Sequence, residues 1–340
     1  MLYNLSMKVL KKLILLLLIL FLSGCAQVKQ YTSYSVYPIG YLLSRIGGTR
    51  INTIQIQDSN TIIENATIVD NFNEIINDSI YFFHISDLEP YLSIYNDEIT
   101  ESGVNNVDLS LLNAIYKFRR YTRVTSGDTE SYIESSYYDG DCFNDIDTYD
   151  FDPFLWLDPS GMLSMAKDVY STLSSNYVEQ ASYFKDNYNN LYTELTTLEA
   201  SYQALSTKCK KNNVTIKFAS MTPSFGAWQK SYGFAVYPIC LSKYGTLPTR
   251  EQLEIIKQRL IADKVEYIAY EPNMNNEMAI LFDVLVDELG LKRVNLSNIS
   301  SLTKTQQEDN KDYFSLMYEN LNVLDGIYKE TLENNENSSN

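Results

Sequence analysis

One histidine stands in the 340 residues, His84 within "SIYFFHIS", and that scarcity excludes more chemistry than any other feature of the chain. A zinc centre built from several imidazoles is ruled out by composition. No Ser/His/Asp or Cys/His set, no phosphate-binding loop and no HExxH helix is present, and one imidazole leaves little acid–base chemistry near neutral pH. An enzyme is therefore not expected, and His84 itself reads as a structural histidine at a strand end. Besides Cys25 there are three cysteines, Cys142, Cys209 and Cys240, without CxxC spacing, which argues against a zinc knuckle and fixes no disulfide. Basic residues are also few, 27 against 43 acids for a formal charge of −16. Nucleic acid, which needs clustered Lys and Arg, is excluded as a partner.

What is there begins at the N-terminus. Lys8, Lys11 and Lys12 precede an unbroken apolar run from Leu13 to Leu22, then Ser23-Gly24-Cys25. This is the pattern of an export signal, and ten apolar residues fall short of the roughly 20 that span a bilayer. Leu22–Cys25 resembles a bacterial lipobox, so residues 1–24 are expected to be removed and Cys25 to be lipidated, anchoring the protein at the outer face of the cell membrane. Losing three lysines and no acid takes the formal charge from −16 to −19.

Glycine and proline are absent from Met162 to Thr222. Within that stretch Ala181, Phe184, Tyr188, Leu191, Leu195, Leu198, Tyr202 and Leu205 recur at three- and four-residue steps, predicting a helix of roughly 30 residues and about 45 Å. After it the chain alternates strand and helix: strands at 214–221, 235–241, 265–270 and 292–296, helices at 225–232, 275–289 and 312–328, with a capping box at Thr249 and Gln252. The N-terminal half alternates in the same way, with strands at 31–37, 51–57 and 80–85 and helices at 39–46 and 72–77. Such alternation implies largely parallel sheets wrapped by helices. The stretch 126–152 holds nine acids and no Lys or Arg and reads as a solvated loop. The expected fold class is α/β: an N-terminal lobe over 25–177, a linking helix over 178–210, a C-terminal lobe over 211–328, and a disordered polar tail over 329–340.

The ordered set "SVYPIGYLLSRIGG" (35–48), "LEPYL" (88–92), "FDPFLWLDP" (151–159), the long helix, "SFGAWQKSYG" (224–233) and "YEPNMN" (270–275) resembles the zinc/manganese-type substrate-binding lipoproteins of ABC transporters. The resemblance implies two α/β lobes on a helical backbone, a metal in the cleft between them, an ABC permease as partner and a monomer. It also implies four ligand positions. The first falls at Ile63 or Glu64, the second at Phe154, where the family has the His of Asp-Pro-His-x-Trp-Leu. The third falls at Thr222 and the fourth near Ser297. An arene and two hydroxyls are poor donors for a transition metal.

Glu271, at a strand end, is the candidate substitute ligand, with Asp152 and Asp158 as further carboxylates that also suit turn and helix capping. A site of oxygen donors suits Mn²⁺ or Ca²⁺ better than Zn²⁺; the other outcome is a cleft with no tightly bound metal. The expected function is a divergent substrate-binding lipoprotein of a metal-type importer. The alternative is a surface lipoprotein using the scaffold for adhesion, its cleft vestigial.

Overall fold

Two four-stranded parallel sheets organise the chain. The computed structural model describes residues 29–58, 62–86, 88–111, 116–126 and 129–339; the signal segment and Cys25 lie outside them. In the first lobe β1 (Tyr31–Tyr34) is flanked by β2 (Asn52–Gln55), while a two-residue ribbon of β3 (Gln57–Asp58) and β4 (Thr67–Ile68) follows. Then β5 (Ser79–His84) and β6 (Asn105–Asp108) complete the order β2-β1-β5-β6. An antiparallel hairpin comes next, β7 (Arg120–Ser126) and β8 (Thr129–Ser135). The second lobe has the order β10-β9-β11-β12, from β9 (Lys217–Ser220), β10 (Ala235–Pro238), β11 (Tyr267–Tyr270) and β12 (Lys292–Asn295).

Helices form where the residues demand them. Pro38 opens Tyr37–Gly47, where its missing N–H costs nothing. Thr249 and Gln252 make the reciprocal capping box of Arg250–Ala262. Asn276–Leu289 ends at Gly290, whose φ of 64° is left-handed.

The long helix runs Ala181–Lys211, 31 residues and about 46 Å. Its buried stripe is Phe184, Leu191, Leu195, Leu198, Tyr202 and Leu205, which is the spacing of one helix face. Its first half grips the N-terminal lobe: Asn187 donates to the Ile46 carbonyl (3.0 Å) and Glu194 pairs with Arg45 (2.7 Å). Its second half grips the other lobe, with the Tyr202 hydroxyl on the Met317 carbonyl (2.8 Å) and Ser206 on that of Tyr232 (2.7 Å). One helix thus spans both lobes.

Three expectations need correction. The tail is helical: the last helix runs Tyr313–Ser339, and Glu330 at the start of the tail pairs with Lys292 of β12. The acidic stretch 126–152 is not one solvated loop. It contains β8, and Tyr137, Tyr138 and Tyr149 within it are buried. Nor does the segment around the hairpin pack on the N-terminal lobe, where the boundary at 177 had placed it. Arg120 pairs with Asp263 (3.0 Å), the Tyr121 amide donates to Gln229 (3.3 Å), and the Tyr138 hydroxyl donates to the Pro238 carbonyl (2.9 Å). The chain crosses to the second lobe, then returns with the helix Pro159–Asn176.

Candidate functional site

Parallel strands end together, so the residues just beyond β9, β11 and β12 are brought to one edge of the second sheet, the place where α/β folds gather ligand groups. Glu271 follows β11 and is fully buried. Its Oε1 accepts from the Thr222 amide (2.9 Å), and its Oε2 accepts from the Thr222 hydroxyl (2.5 Å) and from Asn298 Nδ2 (2.9 Å). Burial raises its pKa and these donors oppose the shift. Thr222 is held in turn by Ser224, whose hydroxyl lies 2.5 Å from its own.

From the other lobe comes Glu64, in the single turn Ile63–Asn65. That turn docks on the second lobe: Asn65 Nδ2 donates to the Tyr244 carbonyl (3.4 Å), and Asn275 Nδ2 donates to Asn65 Oδ1 (2.8 Å). Glu64 is buried, and its Oε1 has no hydrogen-bond partner. Burial, with a smaller push from the Glu271 carboxyl, holds its pKa at about 8. Burial and both carboxyls raise the Cys240 thiol as well, so Cys240 completes the neighbourhood. Ile63, the other residue at the uncertain first position, is buried in the apolar core.

The fourth position, expected near Ser297, falls in the turn after β12. Ser297 is bound by its backbone to Asn320, which accepts from its amide and donates to its carbonyl (2.8 Å each), and its hydroxyl accepts from the Ile299 amide (3.2 Å). Asn298 is the residue that reaches Glu271. The turn behind it puts Ile299 at φ 56°, a conformation costly for a β-branched side chain. Nothing in the sequence marks that strain.

Phe154 is 1% exposed and sits edge-on to Tyr149 (5.8 Å between centroids) and Trp156 (5.6 Å). The frame around it is a set of tertiary bonds. Trp156 Nε1 donates to the Asn298 carbonyl, and Trp228 Nε1 to that of Leu157 (2.8 Å each); the Tyr313 hydroxyl donates to the Trp156 carbonyl (2.7 Å). Asp158 caps the following helix at the Ser160 amide (2.9 Å) and accepts from the Ser231 hydroxyl. Asp152 accepts from the Phe154 amide (3.0 Å), and burial lifts its pKa to about 7. It nests against Gly226, where any Cβ would collide with its carboxylate. Asp152 and Asp158 thus serve the frame. His84 is the last residue of β5, stacked on Phe82. Among the described residues no three His, Cys, Asp or Glu side chains form a group able to hold a metal, and no helix is long and apolar enough to cross a membrane.

Two α/β lobes on a spanning helix, with buried polar groups converging from both, define a two-lobed substrate-binding protein. The family described as zinc-uptake complex component A, periplasmic, matches residues 33–326, and the chain belongs to it. It is 27% identical over 174 residues to the zinc-binding protein AdcA of Streptococcus pyogenes serotype M18, covering 51% of this chain and 32% of that protein. It is 24% identical over 176 residues to the zinc-binding lipoprotein AdcA of Streptococcus pneumoniae strain R6, covering 52% and 34%. The matched segment thus spans about a third of these streptococcal relatives. In fold it is similar to the SBP FpvC from Pseudomonas aeruginosa, solved with Mn²⁺, at a TM-score of 0.66 and 13% identity over 89% of this chain and 99% of that one.

Proposed function

We propose that this protein is the extracytoplasmic substrate-binding component of a metal-type ABC importer, anchored through Cys25, working as a monomer, and delivering a divalent cation to a membrane permease. Family membership supports the class. The cargo is a hard cation such as Mn²⁺, met by oxygen donors from Glu64 and Glu271, with tight Zn²⁺ capture lost. The observation that carries this reading is that two fully or nearly buried carboxyls, Glu64 and Glu271, come from opposite lobes, and Glu64 keeps one oxygen unpartnered. A cation would supply the missing counter-charge, whereas an arene at 154 and a hydroxyl at 222 offer zinc no nitrogen or sulfur.

Native mass spectrometry of the freshly purified, unchelated protein tests it first, followed by calorimetric titration with Mn²⁺ and Zn²⁺. Stoichiometric Mn²⁺ binding that vanishes in Glu64→Gln is expected. Submicromolar zinc binding that survives Glu64→Gln would overturn the assignment.

A further inference from the structure

The turn after β12 carries Asn298, whose carboxamide is fixed from both ends. Its Oδ1 accepts from the Ser300 amide (3.2 Å) and the Ser300 hydroxyl (2.9 Å), and its Nδ2 donates to Glu271 Oε2 (2.9 Å). A carboxamide presents oxygen on one side and nitrogen on the other. With both acceptor sites of the oxygen taken by Ser300, the nitrogen is the atom that faces the carboxylate. Both residues are buried, and a reversed amide would set donor against donor and acceptor against acceptor.

The backbone of the turn is placed from outside it. Asn320, buried in the last helix, accepts from the Ser297 amide and donates to the Ser297 carbonyl (2.8 Å each), so one side chain closes on both polar groups of the residue before Asn298. The Tyr37 amide donates to the Ser300 carbonyl (3.3 Å), and Trp156 Nε1 reaches the Asn298 carbonyl (2.8 Å). Three elements thus grip four residues. Between these grips Ile299 is held at φ 56°, a conformation that a β-branched residue keeps only where its surroundings over-determine it.

We propose that Asn320 is a positioning residue for Glu271, acting through Ser297 and Asn298: its clamp fixes where the turn lies, the turn fixes Asn298, and Asn298 holds Glu271 Oε2 in the orientation in which the carboxylate meets the cation. The last step rests on the reading of Glu271 as a cargo ligand. The coupling of Asn320 to Glu271 does not, because its bonds are made without a cation.

The test joins a metal-free and a metal-bound measurement on the full-length lipoprotein in detergent. Asn320→Leu keeps the size of the side chain and removes both bonds to Ser297. Tyr202→Phe is the control, since it removes another buried bond to the same helix, at the Met317 carbonyl, and leaves the turn untouched. In urea melts with chelator present, each is combined with Glu271→Ala in a double-mutant cycle. The rise in unfolding constant caused by Asn320→Leu should shrink about fivefold or more when residue 271 is already alanine, while that of Tyr202→Phe should stay the same. In calorimetric titration Asn320→Leu should weaken Mn²⁺ binding about tenfold or more and alter the electron paramagnetic resonance spectrum of the bound ion, and Tyr202→Phe should change neither. Asn320→Asp, which keeps the bond to the Ser297 amide and loses the other, takes the place of Asn320→Leu in both arms if the leucine variant does not fold. Additive losses in the Asn320 cycle, or wild-type Mn²⁺ affinity and spectrum in the folded Asn320 variant, would each overturn the proposal. A wild type that binds no Mn²⁺ would overturn the cargo assignment instead, and the cycle alone then decides the role of Asn320.

Discussion

Replacing Phe154 by histidine restores the donor that the family's ligand motif has and this chain lacks, and its consequences can be worked out from the packing. The benzyl group is 1% exposed and wedged between Tyr149 and Trp156. Exchanging it for imidazole forfeits about 2 kcal/mol of apolar transfer. A buried ring nitrogen without a partner adds about 1–3 kcal/mol. Phe154→His without metal should therefore lose about 3–5 kcal/mol, which for a chain of this size lowers the melting temperature by roughly 4–8 °C. If residue 154 faces the cargo site, zinc at a hundredfold excess over its Kd should return about 2.7 kcal/mol, whereas wild type and Phe154→Leu should not respond. Differential scanning calorimetry with and without zinc reads both numbers. A variant that melts at the same temperature in zinc and in chelator would refute the idea that Phe154 occupies a ligand position.

Stability should also fall with pH. Burial sets Glu89 at about 8 and Asp152 at about 7, while unfolded carboxyls titrate near 4. The fold thus favours the protonated forms; their contribution is full below about pH 4 and is lost as pH rises toward 7–8, at about 1.4 kcal/mol per unit per group. Melting temperatures flat or rising between pH 5 and 8 would contradict this, and Glu89→Gln should reduce the slope. Trp156→Phe removes the donor to the Asn298 carbonyl (2.8 Å) and should cost about 1–3 kcal/mol in urea melts. Faster hydrogen exchange over 297–300 should accompany it. Glu271→Ala strips three donors of their acceptor and should cost about 3–5 kcal/mol. Ser297→Ala should stay within about 1 kcal/mol; a larger loss would restore Ser297 to the site.

The elements with a long period were legible in the sequence. The spanning helix announced itself because its stripe repeats over many turns, and Gly290 and the Thr249 box carry their own conformational chemistry. The hairpin was invisible for the opposite reason. Every residue of β8 except Tyr132 is exposed, so no apolar alternation marks it, and its partner is the adjacent β7. The polar tail was misread because composition predicts solubility, not backbone order, and 329–339 has neither Gly nor Pro to end a helix already under way. In the site, the strand-end reading pointed to Glu271, which Thr222 and Asn298 hold, and the position read as near Ser297 falls beside Asn298 in a turn with Ile299 at φ 56°.

The same geometry answers why the motif outlives its histidine. Trp156 binds the Asn298 carbonyl across the lobes, Tyr313 binds the carbonyl of Trp156, Trp228 binds that of Leu157, and Asp158 caps a helix. Losing any of the first three leaves a buried polar group unpaired, at about 1–3 kcal/mol each, whatever the cleft contains. Residue 154 enters this network only through its backbone, its amide donating to Asp152 and its carbonyl accepting from the Leu157 amide (3.2 Å). Its backbone is therefore fixed by the fold while its side chain answers only to packing, and a ring that fits between Tyr149 and Trp156 satisfies that demand. Folding holds the frame, and cargo alone would hold the histidine.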